Sequence, residues 1–128
     1  MMTKTSEFLE ECWFIRGFQI GNLCMGLLEH HSIGGSALVE FDWKEAVDKS
    51  VLGFYHTHAA GIPYLSSEDE TTMKAWVCSE GRPMLCGVVS EGEHTCWLFY
   101  RREGKIRYRQ IHASVFGPLF IAQLGVKS

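Results

Sequence analysis

"VLGFYHTHAAGIPYLSSEDETTMKAWV", residues 51–77, holds an apolar run, two histidines one residue apart, a loop with Gly61 and Pro63, and a serine- and acid-rich segment with apolar periodicity. The apolar run reads as a strand that carries the histidines at its end. Ser67 and Glu70 have the spacing of a capping box, which predicts a helix starting there with Ser67 as N-cap. Met73, Trp76 and Val77 give that helix one apolar face, and Gly81 and Pro83 end it.

Upstream, residues 12–28 are apolar but broken at Gly17, Gly21 and Asn22, the pattern of two strands joined by a turn. "HHSIGGS" reads as another turn, "ALVEF" as a short strand, and "DWKEAVDKS" as one or two helical turns capped by Asp42. Downstream, "MLCGVVS", "TCWLFYRR" and "IRYRQI" are strand-like runs separated by "EGEH" and "EGK", which favour hairpins. Gly117 and Pro118 interrupt the apolar tail "SVFGPLFIAQL", which is expected to be irregular or a short helix. Many strands and few helices predict an α+β fold, with a mixed or antiparallel sheet flanked by helices.

The 128 residues suit one domain over 1–128, with 1–6 and 125–128 expected to be flexible. A net charge of −3 argues against a chain built to wrap nucleic acid or coat an anionic membrane. The local exception is Arg101, Arg102, Lys105, Arg107 and Arg109, either a solvated hairpin edge or a docking patch for an acidic partner. Acids interrupt the N-terminal "MMTKTSEFLEECWFI", and no apolar run has the length of a membrane span, so the expected location is the cytoplasm. Five widely spaced cysteines (Cys12, Cys24, Cys78, Cys86, Cys96) lack a Cys-x-x-Cys pair and read as small buried apolar residues.

Alternation along a strand puts His56 and His58 on one face, about 6.6 Å apart at Cα, close enough for two imidazoles to reach one ion. Asp69, in the first turn of the predicted helix, is the candidate third ligand if the helix packs beside the strand end. Two histidines and a carboxylate leave one position for water, the pattern of catalytic zinc. The bland alternative is a hydrogen-bonded histidine pair and an acid favoured by the helix dipole. With Ser67 as cap, Ser66 is left without a capping role.

His56-Thr57-His58, seven residues, Ser66, two residues, Asp69 resembles the His-x-His-x7-Ser-x2-Asp signature of the JAMM (MPN-plus, JAB-type) zinc metalloproteases, which include deubiquitinases and compact prokaryotic members. The upstream "EECWFIRG" is similar to the family's Glu-x-Cys-Gly-x-Leu-x-Gly, with Trp13 in place of the glycine, and suggests Glu10 as the catalytic acid. Glu11, Glu29 and Glu40 compete for that role. The family's helix before the glutamate has little room here, and its common His-Ser-His-Pro has become His-Thr-His-Ala.

The resemblance implies a cytidine-deaminase-like JAB/MPN fold. One catalytic Zn2+ would be held by His56, His58 and Asp69, with Glu10 as proton acceptor and Ser66 as oxyanion donor. The activity implied is isopeptidase or peptidase cleavage after the C-terminal tail of a ubiquitin or ubiquitin-like protein, through a zinc-activated water. The rival expectations are a non-catalytic MPN-type scaffold and a serine hydrolase using Ser66, His58 and Asp69. No nucleic-acid or membrane partner is expected, and the oligomeric state is left open.

Overall fold

The computed structural model of the chain describes residues 10–34, 49–58 and 64–125, the side chains of 10 and 31–34 excepted. It contains strands β1 (Glu10–Ile20), β2 (Leu23–Gly34), β3 (Val51–Thr57), β4 (Met84–Ser90), β5 (Glu93–Arg102), β6 (Lys105–Phe116) and β7 (Leu119–Gln123), with helix α1 (Ser67–Glu80) between β3 and β4. The strands close into a barrel in the order β1-β2-β7-β6-β5-β4-β3, and β3 pairs back onto β1. This overturns the expected α+β fold. The protein is mostly β, and α1 is the one helix among the described residues, so no open curved sheet flanked by helices of the JAB/MPN kind is present there.

The tail is the reason for the difference. Gly117 takes φ 59 and Pro118 follows it, a two-residue turn of the type that needs glycine first and accepts proline second. The pair expected to break the chain therefore makes a hairpin. β6 continues past "IRYRQI" to Phe116, and β7 inserts between β6 and β2. With β7 in place neither strand is an edge, and closure leaves no unpaired ladder. At two of the other three hairpins, Glu91-Gly92 and Glu103-Gly104 take positive φ at both turn positions, as the Glu-Gly pairs lead one to expect.

Strand alternation separates two apolar clusters. Ile15, Cys24, Tyr55, Leu85, Cys96, Leu98, Ile111, Phe120 and Ala122 form the one that fills the barrel. Residues of opposite parity, among them Cys12, Phe14, Phe54, Cys86, Val88, Trp97 and Phe99, form the other with Met73, Trp76 and Val77 of α1. The helical face expected from the sequence is thus the buried one, and each such side chain contributes roughly 1.5–3 kcal/mol on leaving water. Gly81 ends α1 in the left-handed conformation and donates its N–H to the Val77 carbonyl.

Several other expectations change. Four cysteines are buried as anticipated, but Cys78 is exposed on α1. β2 runs to Gly34 through most of the stretch expected to turn. Gly61 and Pro63, the strand "ALVEF", most of "DWKEAVDKS" and the termini 1–6 and 126–128 lie outside the described residues. Among the described residues no helix is long and apolar enough to cross a membrane.

Candidate metal centre

β3 pairs in parallel with β4, and a parallel pair requires a crossover, here supplied by α1. The carboxyl end of β3 and the amino end of α1 therefore lie at the same end of the sheet, where α/β units generally bind ligands. His56 is in β3, and His58 follows its last residue, donating its backbone N–H to the Val89 carbonyl at 2.9 Å. Asp69 is the third residue of α1.

The three side chains converge. His56 Nε2 is 3.1 Å from Asp69 Oδ1, His58 Nε2 is 3.2 Å from Asp69 Oδ2, and the two Nε2 atoms are 2.9 Å apart. His56 and Asp69 are each 1% exposed, and His58, at 9%, forms the accessible side. The Phe54 ring lies 4.7 Å from that of His56 and walls off the sheet side.

The donor chemistry calls for a cation. His56 Nδ1 is 3.0 Å from the Gly87 carbonyl oxygen, an acceptor only, so Nδ1 carries a proton and donates it. A neutral His56 then presents a bare Nε2 lone pair to a carboxylate and to a second imidazole. Such a grouping is favourable only around a proton or a metal ion. Zinc bonds of 2.0–2.1 Å in a tetrahedron space adjacent ligands by about 3.3 Å, within a few tenths of an ångström of the separations here. The His56 to Gly87 bond is the kind of outer contact that fixes a ligating imidazole in place. His56, His58 and Asp69 are also the one set of three histidine, cysteine or acidic side chains among the described residues whose ligand atoms all lie within 4.8 Å of one another.

Asp69 is ionised despite its burial. Desolvation would raise its pKa, but hydrogen bonds with His56 and His58, a favourable electrostatic interaction with His56 and the Ser66 N–H outweigh that and hold the carboxyl well below its ordinary value. Burial, with help from the Asp69 charge, pushes the nearby Cys86 thiol well above its ordinary value, so it behaves as an apolar residue.

Ser66, and not Ser67, is the N-cap. Its Oγ accepts from the Asp69 N–H at 3.0 Å, and its own N–H donates to Asp69 Oδ2 at 3.0 Å, a reciprocal capping box. Ser67 is the first helical residue. The premise that Ser66 lacks a capping role is therefore wrong, because adjacent serines each precede an acid by three residues and the first pair forms the box.

Glu10 opens β1 two residues before Cys12, whose Cα pairs with His56; its side chain lies outside the described residues. Two of its competitors are engaged elsewhere. Glu11 Oε2 is 3.3 Å from His30 Nε2, and Glu29 Oε1 accepts from Arg16 at 2.9 Å. Glu40 lies outside the described residues. The Gly87 carbonyl was not anticipated. Its signal was present, since a glycine inside a strand often marks a close approach, and a Cβ there would stand 2.5 Å from the Tyr55 ring.

No family model matches the chain, and no curated protein matches it. Fold and site together define a closed β-barrel with a buried histidine–histidine–aspartate group where a parallel strand meets its crossover helix.

Proposed function

We propose that the protein is a zinc-dependent peptidase or isopeptidase of the cytoplasm, cleaving the bond after the C-terminal tail of a ubiquitin or ubiquitin-like protein. The observation that carries the reading is the convergence of His56, His58 and Asp69, with His56 held in the metal-binding tautomer by Gly87. The resemblance of the two sequence motifs to JAMM metalloproteases supports the substrate class; the closed barrel is not the fold that the resemblance implies, so the reading rests on the site and the motifs.

In this reading His56, His58 and Asp69 would hold the ion, which would supply Lewis acidity and lower the pKa of a water toward neutral. Glu10 accepts the proton of the attacking water and passes it to the leaving amine as the C–N bond breaks. Ser66 Oγ accepts from the Asp69 N–H, which leaves its own proton to donate to the oxyanion. Burial of His56 and Asp69 keeps competing water from the ligands.

The test combines elemental analysis with a panel of ubiquitin-like fusions and isopeptide conjugates. Wild-type protein should carry one zinc and cleave a member of the panel. His58→Ala should lose the metal, and Glu10→Gln should keep it while turnover falls by roughly two to four orders of magnitude. Undiminished turnover in Glu10→Gln would remove that residue from the mechanism. A zinc-loaded protein inert to the whole panel would leave the non-catalytic scaffold reading.

A further inference from the structure

The barrel has an outer face that α1 does not cover. Successive cross-strand rows run Phe18, Met25, Ile121, Ser114; then Ile20, Leu23, Gln123, His112; then Arg16, Leu27, Leu119, Phe116. Their neighbours of opposite parity, such as Ile15, Cys24, Phe120 and Ile111, fill the barrel, so the rows themselves point outward. Phe18, Ile20, Leu23, Leu27 and Phe116 are between 37% and 67% exposed. The polar groups stand at the margins, with Arg16 held by Glu29.

We propose that this face is the interface of a homodimer in which two copies pack sheet against sheet about a two-fold axis. Three features favour a second copy over a different partner. Next to Arg16, itself engaged by Glu29, the patch is apolar and carries no other lysine, arginine or carboxylate, so it asks for no complementary charge and matches itself under a two-fold operation. The five exposed residues leave on the order of 500 Å2 of surface, at the upper end of what monomers expose. Doubled, and with the partly buried Met25, Leu119 and Ile121 added, the buried total passes the roughly 1,000 Å2 that a specific interface needs. Twisted sheets also have a ready way to stack, nearly aligned and about 10 Å apart. The patch lies on β1, β2, β7 and the end of β6, whereas His56 and His58 belong to β3 and its end and Asp69 to α1, so pairing leaves both metal centres clear.

The experiment is sedimentation equilibrium of the full chain from about 1 to about 100 µM. Wild-type protein should form a closed dimer with a Kd on the order of 10 µM or tighter. Phe18→Lys and Leu27→Lys, which place like charges across the axis, should each weaken it roughly thirtyfold or more. Because both positions are exposed, the variants should keep the wild-type far-UV spectrum and melting temperature at low concentration. Should a lysine variant fail to fold, Leu27→Thr, which suits an exposed strand, replaces it and should weaken the dimer in the same direction. A wild-type monomer at the highest concentration, as expected if the face serves another partner, would overturn the proposal. So would an open-ended series of oligomers, or a dimer that the substitutions leave unchanged.

Discussion

Asp69 belongs to two structures at once, since the same carboxylate that meets His56 and His58 accepts the Ser66 N–H and completes the cap of α1. Its pKa is depressed from the ordinary 3.8, so the folded chain binds that proton less readily than the unfolded one. The stability contributed is present above pH 3.8 and is lost as pH falls below it. In EDTA, the melting temperature of the wild type should fall more steeply between pH 4 and pH 2 than that of Asp69→Asn, a comparison calorimetry can make. Ser66 allows its two roles to be separated. Ser66→Ala removes the cap and should cost about 1 kcal/mol in urea denaturation, with or without metal. Ser66→Asp restores an N-cap acceptor but has no proton to give, so stability should return while turnover does not. Recovery of both would confine Ser66 to capping. The identity of the cap was ambiguous in the sequence because Ser66 with Asp69 and Ser67 with Glu70 fit the same pattern; only packing against β3 selects the first.

Among the elements, α1 and the hairpins were legible because their signals are local. The spacing of Met73, Trp76 and Val77, the glycine at 81 and the Glu-Gly turns each decide a conformation within a few residues. The pairing of His56 and His58 was legible for the same reason, since strand alternation puts them on one face, whereas the approach of Asp69 depends on how α1 packs. β4's contribution was less visible, because the approach of Gly87 to Tyr55 and to His56 crosses between elements distant in sequence. Tyr55 is packed beside Trp13 and Phe120 and bonded to His94, so it has little room to yield. Gly87→Ala should therefore destabilise the fold by roughly 1–3 kcal/mol and shift β4. Zinc affinity should fall with it, which competition against a metal indicator dye would register.

For the molecule as a whole, closure was the part that the sequence did not reveal. Pairing of β7 with β2 joins residues distant in sequence, from Leu27 with Leu119 to Leu23 with Gln123, and no local periodicity encodes it. Phe120 tests the closure directly. It is 1% exposed inside the barrel, so Phe120→Ala should cost about 3–5 kcal/mol in urea denaturation. In an irregular tail the same change would cost almost nothing. The shared carboxylate of Asp69 has a consequence for reading relatives of this chain. If the proposed function holds, a lineage that abandoned chemistry would still be under pressure to retain that aspartate, because the cap of α1 uses its carboxylate, whereas the His58 imidazole takes no part in that cap. Loss of the second histidine, with the aspartate kept, is then the mark by which an inactive descendant should be recognised.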